Sequence, residues 1–141
     1  MLKVRLETLE KMTNYGVEDE PHRRVAGNFA LYSAPGTKSG SAVYFELEPG
    51  FELGNHTDAT EEIVYIVAGT VEVTIGEEKD QISSGELGVV PDMAPHNFRN
   101  IGSDTVKVIG VFSSPSVVST FEKAFIPLNF KEFDTTKLPT T

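Results

Sequence analysis

The sequence predicts an all-β protein, a sandwich or barrel of antiparallel strands. Three observations carry this. Strand-like runs recur roughly every eight to twelve residues, separated by Gly, Pro, Ser and Asp turns. "TVEVTIG" (70–76) alternates Val71, Val73 and Ile75 against Glu72 and Thr74, the period of a half-buried strand. Helical spacing is confined to two short candidates. "LETLEKM" (6–12) fits a helix or an edge strand, and "SVVSTFEKAF" (116–125) carries three β-branched residues that favour an extended chain.

The elements follow in order. "RRVAGNFALYS" (23–33) and "SAVYFELE" (41–48) flank the turn "APGTKSG", which suggests a hairpin closed by "EPG" (48–50). "EIVYIVAG" and "TVEVTIG" come next, and "EEKD" reads as the turn into "QISSGELGVVP" (81–91). "HNFRN" (96–100) and "TVKVIGVFSS" (105–114) complete the barrel strands. In the second strand, Tyr44 and Glu46 face away from Val43, Phe45 and Leu47; alternation alone does not say which face is inner. The tail "FDTTKLPTT" offers little to bury and is expected to be loosely held.

The 141 residues are expected to form one domain, with a core barrel over about 23–114 and a C-terminal segment, 115–141, packed on the barrel or on a second copy. Apolar residues make up 39% and charged residues 23%, as in ordinary globular chains. The longest apolar run, Ile63 to Ala68, is too short to cross a bilayer, and the charged start shows no signal-peptide core. The expected compartment is the cytoplasm. A net charge of −9 without any Lys/Arg block argues against nucleic acid and anionic membranes as partners. "HRR" (22–24) reads as a solvated turn. With no cysteine, thiol nucleophiles and thiolate metal sites are excluded.

"GNHTDATEEIVYIVAG" (54–69) sets an imidazole and three carboxylates before a core strand. If the segment is extended, His56, Asp58 and Glu62 share the face of Val64 and Ile66. Ile63, Tyr65 and Val67 are also apolar, so the strand is expected to be covered on both faces. An inward cluster of this kind requires mutual hydrogen bonding or a cation. Glu61 has the wrong parity to join it, and His22 is expected at the surface.

A second histidine, His96, lies in "GELGVVPDMAPHNFRN" (85–100). Together the two stretches resemble the paired motifs of the cupin superfamily. The first is a Gly, five residues, His-x-His, three or four residues, Glu, six residues, Gly. It is matched by Gly50, His56-Thr57-Asp58, Glu62 and Gly69. The second is a Gly, five residues, Pro-x-Gly, two residues, His, three residues, Asn. It is matched by Gly85, Pro91-Asp92-Met93, His96 and Asn100. Asp58 stands where the family usually has a second histidine, and Met93 where it usually has glycine.

The resemblance implies a cupin-type jelly-roll β-barrel (a double-stranded β-helix) with one divalent metal ion held by His56, Asp58, Glu62 and His96. Imidazoles suit Fe²⁺, Zn²⁺ and Ni²⁺, and the carboxylates move the preference toward Mn²⁺ and Fe²⁺. Asp58 has two further readings, capping the turn after His56-Thr57 or holding a water beside the ion. Phe98 shares the parity of His96, either lining the pocket or serving as a core aromatic. The implied function is action on a small organic molecule. An oxygenase of dioxygenase type leads; the alternatives are a non-redox lyase or isomerase and a non-catalytic binding module. Apolar residues on both faces of "IVYIV" and in the C-terminal segment predict a homodimer.

Overall fold

A computed structural model describes residues 1–137 of the chain. Strands are numbered in chain order. Two antiparallel six-stranded sheets face each other. The first runs β1 (Met12–Tyr15), β2 (Arg24–Leu31), β3 (Ser41–Leu47), β10 (Val106–Phe112), β5 (Glu62–Ala68), β8 (Leu87–Val90). The second runs β12 (Phe130–Asp134), β11 (Val118–Phe125), β4 (His56–Asp58), β9 (His96–Asn100), β6 (Thr70–Ile75), β7 (Glu78–Ser83). This is the two-sheet all-β architecture that the turn spacing predicts, in the jelly-roll form that the family resemblance implies. No helix among the described residues is long and apolar enough to cross a membrane.

Alternation decides what lies between the sheets. Phe45 and Leu47 of β3, Val64 and Ile66 of β5, Val71 and Val73 of β6, Phe98 of β9, and Val106 and Val108 of β10 form one buried cluster. Phe45 and Leu47 therefore mark the inner face of β3, while the Tyr44 hydroxyl bonds the Glu46 carboxylate at 2.6 Å on the other face. Each fully buried side chain of this kind contributes about 1.5–3 kcal/mol. Phe29, Tyr32, Phe112 and Val117 form a second, smaller cluster at one end.

Several expectations need correction. The run 81–91 is two strands in different sheets, β7 and β8, because Gly85 turns the chain in a left-handed conformation (φ 86°). The preceding turn is only Gly76-Glu77, since Ile75 pairs with Glu78. Residues 6–12 give a single 3-10 turn, Leu6–Thr8, before β1. The odd-numbered face of β5 is not covered within one chain: Ile63, Tyr65 and Val67 are exposed. The tail is anchored further than expected. β12 pairs with β11, and Thr135 is buried, its hydroxyl accepting the Val117 N–H at 2.9 Å. Residues 138–141 lie outside the described part.

The solvated turn at 22–24 is the largest correction. His22 is exposed, but Arg23 is only 3% exposed. Its guanidinium lies 3.9 Å from the Phe125 ring centroid. Its Nε donates to the Leu53 carbonyl at 3.2 Å, and its Nη1 to the Glu20 carboxylate at 2.6 Å and the Ala124 carbonyl at 3.3 Å. A planar cation can stack on a ring and still reach acceptors around its edge, which is how it tolerates burial.

Candidate metal centre

The approach to β4 is stitched to β9. Leu53 N–H donates to the Phe98 carbonyl at 3.0 Å, and Gly54 N–H to the Asn97 side-chain oxygen at 2.8 Å. This sets His56 directly opposite His96 in the antiparallel pair. Alternation turns His56 and Asp58 inward together. Residues 56–62 are not one regular strand, however. The chain leaves the second sheet after Asp58, crosses at Ala59–Glu61, and enters the first sheet at Glu62. His56, Asp58 and His96 thus come from one sheet and Glu62 from the sheet facing it. Parity names the inward residues correctly because the crossing keeps their direction, not because the strand is continuous. Glu61 is exposed.

All four side chains are buried, none more than 5% exposed. His96 Nε2 lies 3.2 Å from Asp58 Oδ2 and 3.7 Å from Glu62 Oε1; His56 Nε2 is 3.8 Å from Asp58 Oδ2. One ligand atom each from His56, Asp58 and His96 falls within 4.8 Å of the others. Glu62 stands beside this trio. Both histidines are fixed in the same way. His56 Nδ1 contacts the Gly54 carbonyl and His96 Nδ1 the Ala94 carbonyl, each at 2.8 Å. A carbonyl only accepts, so Nδ1 carries the proton, and Nε2 is turned to the cluster, as in metal-binding histidines.

The fit to a cation rests on atoms without partners. Asp58 Oδ2, Glu62 Oε1 and His96 Nε2 are buried and make no hydrogen bond. Orphaned acceptors converging in a dry interior are costly unless something positive sits between them. The residues present therefore fit a divalent ion.

Electrostatics say what replaces the ion when it is absent. Burial lowers His56 to about 4, reinforced by His96 nearby, so His56 stays neutral. Burial raises Glu62 to about 7. His96 goes up to about 9: burial pulls it down, but its contacts with Asp58 and Glu62 outweigh that. Asp58 is also opposed by burial, yet its contacts with His96, His56 and Ser119 hold it below the ordinary value. At neutral pH the metal-free cluster thus holds a proton on His96. Because His96 binds metal only when it loses that proton, metal uptake is expected to release it. Affinity should fall roughly tenfold per pH unit below about 9 from His96 alone, and more steeply below about 7, where Glu62 also protonates. Calorimetry with Mn²⁺ in buffers of different ionisation heat checks both points; a flat affinity from pH 6 to 8.5 would contradict them.

Two supporting residues, Ser119 and Gly110, escape the motif reading, and a third, Met93, departs from the motif's glycine. Ser119 of β11 donates to Asp58 Oδ1 at 2.5 Å. Its signal was present as a polar residue at the parity of Val117, Phe121 and Phe125. Gly110 of β10 leaves room for Glu62: a Cβ there would collide with Glu62 Oε2 and lie 3.0 Å from its Cδ. Gly110→Ala is expected to displace Glu62 and weaken Mn²⁺ binding about tenfold, matching Glu62→Gln. Calorimetric titration of both variants checks this, and an unchanged affinity in Gly110→Ala would count against the contact. Met93 keeps the left-handed conformation of the glycine it replaces (φ 58°), and its N–H donates to the Asp58 carbonyl at 2.8 Å. That tie holds the two motifs together and stores about 1 kcal/mol of backbone strain.

A cavity of about 110 Å³ opens beside the cluster, lined by His56, Asp58, Glu62, Ser119 and phenylalanine rings, Phe98 among them. Phe98 is fully buried and edge-on to His96, with ring centroids 5.5 Å apart. Phe121 stacks on His56 at 4.6 Å.

Known proteins are similar to this chain in sequence and in fold. A family model described as "Cupin domain" matches residues 43–112. The uncharacterized protein SCO3923 of Streptomyces coelicolor is 26% identical over 104 residues, 74% of this chain and 98% of that protein. A variant of oxalate decarboxylase OxdC from Bacillus subtilis superposes with a TM-score of 0.69 at 20% identity, over 84% of this chain and 31% of that one. The chain therefore spans about a third of the decarboxylase. A further structure of that enzyme is described by its Mn(II) centres. The polyketide cyclase RemF of Streptomyces resistomycificus superposes with a TM-score of 0.65 at 16% identity, over 79% of this chain and 78% of that one.

Proposed function

The chain belongs to the cupin superfamily, and from that premise we propose that it is a mononuclear metal enzyme acting on a small organic molecule, with dioxygenase-type oxygenation as the reaction. The carrying observation is the trio His56, Asp58 and His96 beside a cavity. Two histidines and one carboxylate with open positions is the donor set of non-haem Fe(II) oxygenases. His56, Asp58 and His96 would hold such an ion, which would supply the redox and Lewis-acid chemistry that O₂ activation needs. Fe²⁺ and Mn²⁺ suit the set best; Mn(II) in the oxalate decarboxylase agrees with that preference. Zn²⁺ and Ni²⁺ rank behind.

The chain's own residues do the rest. His56 and His96 are held by backbone carbonyls, so their Nε2 atoms need no reorganisation. Ser119 orients Asp58. Glu62 closes the set from the opposite sheet. The rings around the cavity exclude water, which strengthens every charge interaction inside.

A second reading draws on Glu62 and on the likeness to a polyketide cyclase. A buried carboxyl raised to about 7 can give and take a proton near neutral pH, which is what a metal-assisted lyase, isomerase or cyclase needs. Oxygen dependence separates the two. Protein loaded with Fe²⁺ or Mn²⁺ is screened against small phenols and enolisable ketones, with and without O₂. Oxygenation predicts turnover coupled to O₂ uptake and lost anaerobically. Turnover that persists without O₂ moves the function to the second reading, and metal binding without turnover moves it to a binding module.

For assembly we infer a homodimer through the outer face of the first sheet. Cross-strand register lines up Leu87, Tyr65 and Ile109 in one row and Val89, Ile63 and Val111 in the next. Five of these six are at least 40% exposed. Such a patch spans three strands and suits the apolar centre of an interface of about 800 Å² per partner. A second copy offers the same patch about a two-fold axis. The C-terminal segment is largely engaged with its own chain, β11 pairing with β4 of the barrel and β12 folding back onto β11, leaving Ile126 and Leu128 exposed. Light scattering should give twice the chain mass at micromolar concentration and a shift toward monomer in Leu87→Glu. A concentration-independent monomer would overturn the dimer.

A further inference from the structure

The chain has nine phenylalanines, and all but Phe51 line the one cavity beside the metal trio. Core packing alone does not require this concentration, because the barrel's remaining inner positions are filled by Val, Leu and Ile. The rings come from both sheets. Phe29 stacks on Phe112 and on Phe133, with centroids 5.9 and 5.7 Å apart and planes within 24° and 13°. At the metal end, Phe121 lies flat on His56. The polar groups in the lining gather where His56, Asp58, Glu62 and Ser119 meet, with Asn14 and Asn28 at the β1 and β2 side. Among the described residues, no Lys or Arg lines the cavity.

Resting on the reading of this site as a metal centre, we propose that the pocket selects a single flat, uncharged aromatic ring bearing a hydroxyl, a phenol in the simplest case. Size, walls and charge each point there. A cavity of about 110 Å³ is of the same order as the roughly 150 Å³ apolar cavity that admits benzene, which limits the occupant to a single ring. Aromatic walls favour a planar π-face or edge over a puckered ring of equal carbon count. A substrate hydroxyl at the polar end comes within reach of the Asp58, Glu62 and Ser119 side chains that line it. A small dicarboxylate such as oxalate would find two carboxylates and no cationic side chain in the lining. This separates the pocket from sites that grip their substrates by ion pairs.

The test compares phenol with cyclohexanol, which has the same hydroxyl and carbon count but a puckered ring, and with oxalate. Binding to metal-free and Mn²⁺-loaded protein is measured by ligand-observed NMR. Phenol is expected to bind about tenfold tighter than cyclohexanol in both forms, with oxalate weakest on metal-free protein. Val43→Phe, which fills the cavity from β3, should lose phenol binding at least tenfold while its Mn²⁺ titration is unchanged. Phe29→Leu keeps an apolar wall and should narrow the phenol preference toward equality. Equal affinity for phenol and cyclohexanol, or phenol binding that survives in folded Val43→Phe, overturns the proposal. Failure of the metal reading shows separately, as wild-type protein that takes up no Mn²⁺ and yet still prefers phenol.

Discussion

Asp58→Ala is expected to abolish tight metal binding, with Kd for Mn²⁺ rising by more than the roughly 100-fold upper range for loss of an outer-sphere partner. Both carboxylate oxygens have tasks in the structure. Oδ1 takes the Ser119 hydroxyl, and Oδ2 points at His96 Nε2 from 3.2 Å. Capping of the turn after Thr57 is not its work, since the hydrogen bond goes to Ser119. Asp58→Asn therefore tests charge against shape. It keeps an oxygen for Ser119 but removes the negative charge, and its loss of affinity should approach that of Ala. Asp58→His should retain metal and shift preference toward Zn²⁺ and Ni²⁺. In the metal-free Ala variant the His96 titration, followed by NMR, should move down from about 9, because its main charged partner is gone. Wild-type affinity in Asp58→Asn would remove the carboxylate from the site.

Arg23→Ala should be the most destabilising change outside the hydrophobic core, by about 3 kcal/mol. It strands the carbonyls of Leu53 and Ala124 and uncovers the face of Phe125. For a chain of this size the melting temperature should fall by about 6–12 °C. Arg23→Lys should recover little, because an ammonium cannot stack and fork at once. Since Leu53 leads directly into His56, the same variants should also weaken Mn²⁺ binding. Thermal melts with and without Mn²⁺ measure both effects, and a melt within about 2 °C of wild type would refute the assignment.

The two features have different visibility in the sequence. That His56, Asp58, Glu62 and His96 face inward together was legible because parity and motif spacing are both linear. Ser119 and Gly110 were not, since each acts by proximity across sheets, and β11 and β10 carry no spacing that ties them to β4 or β5. The strand over 81–91 failed for a local reason. "SSGE" was read as part of an extended run, yet Gly85 at positive φ sends the chain to the other sheet. Arg23 failed for the opposite reason: charge next to His22 and Arg24 looks like surface, and only the Phe121–Phe125 side of the barrel makes it interior. The all-β class survived these errors because it rests on many strands at once.

The pairing of His56 with His96 also bears on error checking. β4 and β9 meet at this single registered pair, a short contact on which to fix how two strands align. Because β9 is also held by five pairs with β6, a slip of one residue at this contact would turn over β4, sending His56 and Asp58 outward and Thr57 inward. Such a misaligned chain could still be compact, but it would present one histidine where the ion needs two. Metal retention would then discriminate between correctly and incorrectly threaded molecules in a mixed population. A bound ion adds about 2.7 kcal/mol at a hundredfold excess over Kd, and only the correct alignment collects it. The ion acts in this sense as a proofreader of sheet register, before it takes part in any chemistry.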